Sequence, residues 1–218
     1  MEYIIRQGDY LSKVARQFGY ADWKILWNHP SNAKLKSQRK NPNVLYPGDV
    51  LFIPEKGDKD LTRPTDNTHR FTVKGTPLKL IVVLDHPYAK PLAHTRCDLS
   101  LEGGSSTVTT DGHGKFAQDI APTTEEVRII VRKSGSPIDG LLIPLRVGYL
   151  DPVDELSGQR ERLNNLGYAA GAPAEADATA RDKLFRSAVE EFQCDLQLQV
   201  DGICGPLTQA KLKSTHGC

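Results

Sequence analysis

Asp111 and His113, in the run Thr110-Asp111-Gly112-His113-Gly114, are the first residues whose types could do chemistry. An aspartate and a histidine two positions apart offer an acid–base pair or two metal ligands. Asp85-His86 offers the same groups side by side. A protein-held zinc ion wants three or four ligands, and neither pair has a third nearby in sequence. Glycines on both sides of His113 point instead to a tight turn. The four cysteines, Cys97, Cys194, Cys204 and Cys218, lack C-x-x-C spacing, which argues against a zinc site. For Cys194 and Cys204 two readings stay open: a disulfide, or two small apolar residues in the core. No metal and no cofactor is expected.

The elements that would position such groups fall into several small domains. A chain of 218 residues with 25% charged and 39% hydrophobic residues is ordinary soluble protein. Its net charge of +1 hides an asymmetry. Residues 1–56 carry nine Lys/Arg against five Asp/Glu, while residues 151–218 carry seven against eleven. Neither end is basic enough to argue for nucleic acid. No apolar run of about 18 residues occurs, so no membrane span is expected. Met1 to Ile5 lacks a basic segment followed by a long apolar stretch, so no signal peptide is expected.

The N-terminal segment is a bracket of two Gly-Asp turns, Gly8-Asp9 and Gly48-Asp49, each beside a short β-rich run. Asp9 is placed to cap a following helix. Leu11, Val14, Ala15 and Phe18 lie at helical spacing on one face, and Gly19 stops the helix. A second helix starts near Asp22 with Trp23, Leu26 and Trp27 as its apolar stripe. The stretch 28–42, with Lys34, Lys36, Arg39 and Lys40, reads as a solvated basic loop before the closing strand Val50 to Ile53.

This β-α-α-β order over residues 3–54 resembles a LysM module, a domain that binds chains containing N-acetylglucosamine. The resemblance implies a shallow glycan groove between Gly8, Asp9, Tyr10 and Leu11 on one side and Val44, Leu45, Tyr46 and Pro47 on the other. An acetamido group offers loop backbone one donor and one acceptor, and its methyl wants an apolar notch.

Residues 57–70 read as an exposed linker. Short β-type runs follow over residues 71–148, at Phe71–Val73, Leu78–Leu84, Asp98–Leu101, Ser106–Thr110, Gly114–Ile120, Glu126–Val131 and Gly140–Val147. Their spacing predicts a small all-β sandwich or barrel. The segments around Pro91-Leu92-Ala93 and Thr110-Asp111-Gly112-His113-Gly114-Lys115-Phe116 resemble the prealbumin-like or carboxypeptidase-regulatory type, which recurs in proteins linked to type VI secretion spikes.

Residues 149–218 read as three helices: Leu156 to Leu166 with Leu156, Leu163 and Leu166 on one face, Ala180 to Cys194, and a third from Pro206. The inner face of the second is Leu184, Phe185, Ala188, Val189 and Phe192. Arg162-Leu163-Asn164-Asn165-Leu166-Gly167-Tyr168, Ala188-Val189-Glu190-Glu191-Phe192-Gln193 and Leu198 to Thr208 resemble a three-helix peptidoglycan-binding domain. The leader Val147 to Pro152 resembles the form attached to type VI secretion proteins. The resemblance puts a ligand groove near Tyr168, Gln193, Asp201 and Thr208.

The fold class expected is therefore multidomain α+β: a β-α-α-β LysM module at 1–56, a central all-β sandwich at 71–148 and a three-helix peptidoglycan-binding domain at 149–218. The expected function is non-catalytic peptidoglycan binding linked to type VI secretion. The alternative is an adaptor of a contractile injection machine that meets spike or effector protein through the central domain. A peptidoglycan hydrolase is a minor alternative, with Asp85, His86, Asp111 and His113 as its only scattered candidates. Without a signal peptide, the chain is expected in the cytoplasm before export to periplasm or wall by a contractile system.

Overall fold

In the computed structural model, residues 1–57, 65–68, 78–85, 91–172 and 177–218 are described. The chain divides into two units, Met1–Tyr149 and Leu150–Cys218. The expected strand at 71–73, most of the expected linker 57–70 and His86 lie outside the described residues.

The first unit opens with β1 (Glu2–Ile4), paired antiparallel with β2 (Val50–Phe52), Tyr3 opposite Leu51. Between them run α1 (Leu11–Gln17), α2 (Lys24–Trp27), a 3₁₀ turn (Pro30–Asn32) and α3 (Ala33–Arg39). The apolar face of α1 forms as its spacing predicts: Leu11, Val14 and Ala15 are buried with Ile5, Leu26 and Leu51. Gly19 (φ 73°) ends the helix, and Tyr20 N donates to Ala15 O at 2.7 Å, closing a Schellman turn.

Two sequence expectations are corrected here. Asp9 does not cap α1; Tyr10 is its N-cap residue, and Asp9 turns back to accept from Tyr3 Oη and Arg6 N at 2.8 and 2.9 Å. The basic stretch 28–42 is not a loop but carries α3. Leu35 anchors this helix in the core. The buried Asn32 side chain fixes its start, donating to Leu26 O and Phe52 O and accepting from Phe52 N. Arg39 fixes its end by a two-pronged ion pair to Asp49 at 2.8 and 2.9 Å, with both side chains nearly buried.

The central region is β-rich. Strands β3 (Leu78–Val83) and β6 (Lys115–Ile120) form one antiparallel sheet. Strands β4 (Arg96–Leu101), β5 (Gly104–Thr109), β7 (Glu126–Arg132) and β8 (Leu142–Arg146) form a second, in the order β5-β4-β7-β8. Alternation decides which residues face inward. Cys97, Leu99, Val127, Ile129 and Val131 are fully buried, and the register sets Cys97 against Val131 and Leu99 against Ile129. Leu80, Val82 and Phe116 of the first sheet join the same core. Each such side chain stabilises the fold by about 1.5–3 kcal/mol on burial.

The second unit is α4 (Leu156–Asn165), α5 (Ala178–Asp195) and α6 (Pro206–His216). Asp177 caps α5 by accepting from Thr179 N and Ala180 N. Val189, Phe192, Leu163 and Leu212 are the centre of its core. Of the face expected for α4, Leu163 is buried and Leu166 packs against the core, while Leu156 is exposed. The polar Gln159 and Arg162 are buried on the same inner face, positions that apolar spacing alone does not mark. Leu184 of α5, like Leu156, lies at the surface. All four cysteines are free thiols; Cys194 is exposed and Cys97 buried.

Candidate functional site

The two Gly-Asp turns of the N-terminal unit are built alike. In Arg6-Gln7-Gly8-Asp9 and Tyr46-Pro47-Gly48-Asp49, the last N–H donates to the first carbonyl, at 3.0 and 2.9 Å. Gly8 and Gly48 supply the positive φ (84° and 96°) at the third position, as a type II turn demands. Each aspartate then accepts from the N–H three residues back, Asp9 from Arg6 and Asp49 from Tyr46. Ile5 N donates to Asp49 O and Gly48 N to Ile5 O, so the turns lie side by side. Leu11 N donates to Pro42 O at 3.2 Å and ties the segment after the first turn to the stretch before the second.

The expected groove walls are thus adjacent, but they differ in access. Gly8, Asp9, Tyr10 and Leu11 are all buried, as are Val44 and Leu45; Tyr46 and Pro47 are partly exposed. Leu11 and Leu45 belong to the small core. Tyr10 is buried elsewhere, against the β-rich region. Its hydroxyl donates to Thr124 O at 2.9 Å. Lys13 Nζ pairs with Glu125 at 2.7 Å and donates to Gly8 O at 3.2 Å. Tyr149 lies on Gly8, where an added Cβ would sit 3.0 Å from its ring. Gly148 is equally close-fitting: a Cβ there would meet Tyr10 Cδ1 at 2.6 Å and Gly8 O at 2.8 Å. Thr124, Glu125, Gly148 and Tyr149 therefore cover the first wall. Sequence reasoning missed all four, and the one available signal was a glycine beside an aromatic at the end of the β-rich region.

In the second unit, the Gln193 carboxamide organises the turn after α5. Its Nε2 donates to Asp201 Oδ1 (2.8 Å), Thr208 Oγ1 (3.0 Å) and Ile203 O (3.1 Å). Its Oε1 accepts from Asp201 N and Gly202 N, both at 3.0 Å. A carboxamide has two N–H bonds and two acceptor lone pairs, so Gln193 is saturated within the fold. Hydrogen bonds from Gln193 and the Ile203 N–H hold the Asp201 carboxyl below its ordinary pKa. The structure brings Gln193, Asp201 and Thr208 together and buries Gln193 and Thr208. Tyr168 stands apart, donating to Asp195 Oδ2 at 3.0 Å, with its ring edge-on to Phe192.

Residues 3–54 match the LysM domain family, and residues 147–212 match the peptidoglycan binding domain family. The chain carries a module of each. No curated protein and no solved structure matches it.

Both recognised modules are binding modules rather than catalytic ones. The twin turns are the LysM domain's loop edge, and the Gln193 network is the frame of the peptidoglycan-binding domain. Asp111, the chemical candidate from the sequence, uses Oδ1 to accept from His113 N and Lys115 N at 2.8 and 2.9 Å. Those backbone bonds lower its carboxyl pKa and make it the brace of the turn that carries the chain from β5 in one sheet to β6 in the other. Among the described residues, no cluster of three or more His, Cys, Asp or Glu side chains could hold a metal ion.

Proposed function

We propose that this chain binds peptidoglycan through both ends and does no chemistry on it. One observation carries the reading: two separate modules of wall-binding families stand in one chain, at residues 3–54 and 147–212. Two weak sites acting on one glycan mesh raise retention beyond either alone, because the second contact forms at an effective concentration of about millimolar. Full-length chain is expected to sediment with purified insoluble sacculi. A chain that stays in the supernatant contradicts the proposal.

At the LysM end, the glycan residues proposed are Gly8, Asp9, Tyr10, Leu11, Val44, Leu45, Tyr46 and Pro47. The covering by Thr124, Glu125, Gly148 and Tyr149 adds a condition. Tyr46 and Pro47 are open to a ligand, and engagement of the Gly8–Leu11 wall requires that cover to move off. At the other end, Tyr168 and Asp201 are the proposed contacts, and Gln193 and Thr208 support them from below.

The finer proposal, a link to type VI secretion and delivery to the wall by a contractile system, rests on the resemblance of the segments around 110–116 and 147–168. Co-purification with a spike protein supports it. Co-purification without any sacculus binding favours the adaptor reading instead.

A further inference from the structure

Two arginines of α4 differ in how their guanidinium groups are satisfied. Arg162 donates Nη1 to Asp151 O and Gly158 O, each at 2.7 Å, and Nε to Cys218 O at 2.8 Å. It is a structural staple. Arg160 is 6% exposed, and its Nε and Nη2 are buried with no hydrogen-bond acceptor among the described residues. Its acidic neighbour Asp182 keeps Oδ1 3.9 Å from Nη2, too far for a hydrogen bond, on a side chain 70% exposed. Arg181, in the first turns of α5, adds a third buried donor without acceptor, its Nε.

The two positive groups also act on each other. Burial, with the Arg181 charge beside it, pulls Arg160 below the ordinary arginine pKa. The Phe185 ring lies 5.5 Å from the Arg160 guanidinium and forms an apolar floor. A buried donor left without an acceptor destabilises the fold, and a buried guanidinium whose nearest carboxylate is out of hydrogen-bond reach does so further. Folding alone does not call for two like charges with three unanswered donors. A bound anion answers both. Among the described residues no hydrogen bond pins Arg160, and Arg181 is only partly buried, so the pair lies beneath an open part of the surface.

We propose that Arg160 and Arg181 form an anion site in the peptidoglycan-binding domain that takes a carboxylate of a peptidoglycan stem peptide. A planar carboxylate matches the guanidinium fork. Asp182 at the rim disfavours a doubly charged phosphate by like-charge repulsion. Phe185 suits the short apolar side chains next to a peptide carboxylate. The ligand's identity rests on the wall-binding reading; the anion site itself rests on the unanswered donors.

The test titrates full-length chain with a synthetic stem pentapeptide bearing free carboxylates, and with the same peptide fully amidated. Sacculus sedimentation is measured in parallel. The free acid is expected to bind at least about tenfold tighter than the amide, a difference of about 1.4 kcal/mol. Arg160→Met and Arg181→Met are each expected to weaken free-acid binding at least about tenfold. Their melting temperatures should match the parent or exceed it, because Met keeps the apolar stem and removes a buried guanidinium whose donors go unanswered. Arg160→Lys, which keeps charge but loses the fork, is expected to weaken binding as well.

Equal binding of acid and amide overturns the site, as do variants that bind like the parent or that lose stability instead of affinity. Displacement of the peptide by inorganic phosphate at lower concentration than by acetate overturns the carboxylate assignment. Sedimentation with sacculi but no preference for the free acid overturns the site and leaves wall binding standing. Free-acid binding without sedimentation supports the site and counts against wall binding. Loss of both overturns both.

Discussion

Gln193 shows how a residue that looks like a ligand-binding group can instead be the internal frame of a turn. It is 1% exposed, and all five of its hydrogen bonds stay within the second unit. Gln193→Ala removes the acceptor from two N–H groups and the donor from Asp201, Ile203 and Thr208. At about 1–3 kcal/mol per group left buried and unpaired, it is expected to destabilise the unit by about 2 kcal/mol or more. Thermal unfolding measures this; an unchanged melting temperature would mean that water replaces the carboxamide without loss. Of the groove expected at Tyr168, Gln193, Asp201 and Thr208, the last three meet in one hydrogen-bonded network and Tyr168 stands apart, an arrangement that was not legible in the sequence. Whether a carboxamide faces in or out depends on what the neighbouring turn demands, and that demand comes from tertiary packing.

Two titratable residues of the same unit oppose each other. Burial raises the Glu161 carboxyl from 4.5 to about 7. Burial, aided by Arg162, lowers His216 from 6.5 to about 4. Folded Glu161 keeps a proton that the unfolded chain has released, so its effect lowers stability as pH rises from 4.5 to about 7. Folded His216 stays neutral where the unfolded chain is charged, so its effect lowers stability as pH falls from 6.5 to about 4. The parent is expected to show a nearly flat profile where the two windows overlap. Glu161→Gln should leave stability rising with pH across the histidine window, and His216→Asn should leave it falling across the glutamate window. Melting temperatures across that pH range check the signs, and identical profiles for both variants would refute the assignment.

At the scale of elements, α1 and the central strands were legible because apolar spacing alone builds them. Leu11, Val14 and Ala15 keep helical period, and Val127, Ile129 and Val131 alternate. Helix α3 was not legible, since Leu35 is its one buried apolar residue and polar groups, Asn32 and Arg39, hold its ends. The cover on the first LysM wall was hidden for a related reason. It joins residues more than a hundred positions apart, such as Tyr10 and Thr124, through contacts that leave no periodic trace. Gly148 is its tightest point, at φ 85°. Gly148→Val places side-chain atoms against Tyr10 and the Gly8 carbonyl and should wedge the cover off. If the covered wall binds glycan, titration with N-acetylglucosamine oligomers is expected to show several-fold tighter binding by this variant than by the parent. Unchanged or weaker binding would remove Gly8 to Leu11 from the proposed site.

At the scale of the whole molecule, the chain holds a LysM domain near one end and a peptidoglycan-binding domain near the other, with net charge of opposite sign in residues 1–56 and 151–218. Opposite charge gives the ends different responses to salt, because exposed charges are screened over about 8 Å at physiological ionic strength. The central claim is that both ends work together on one mesh. The direct measurement is retention on purified sacculi of the full chain, of a chain lacking residues 1–56 and of a chain lacking residues 150–218, over a series of protein concentrations. The account predicts that either deletion weakens retention by roughly a hundredfold or more, as expected for lost avidity. Retention of either shortened chain at the full-length level would contradict it.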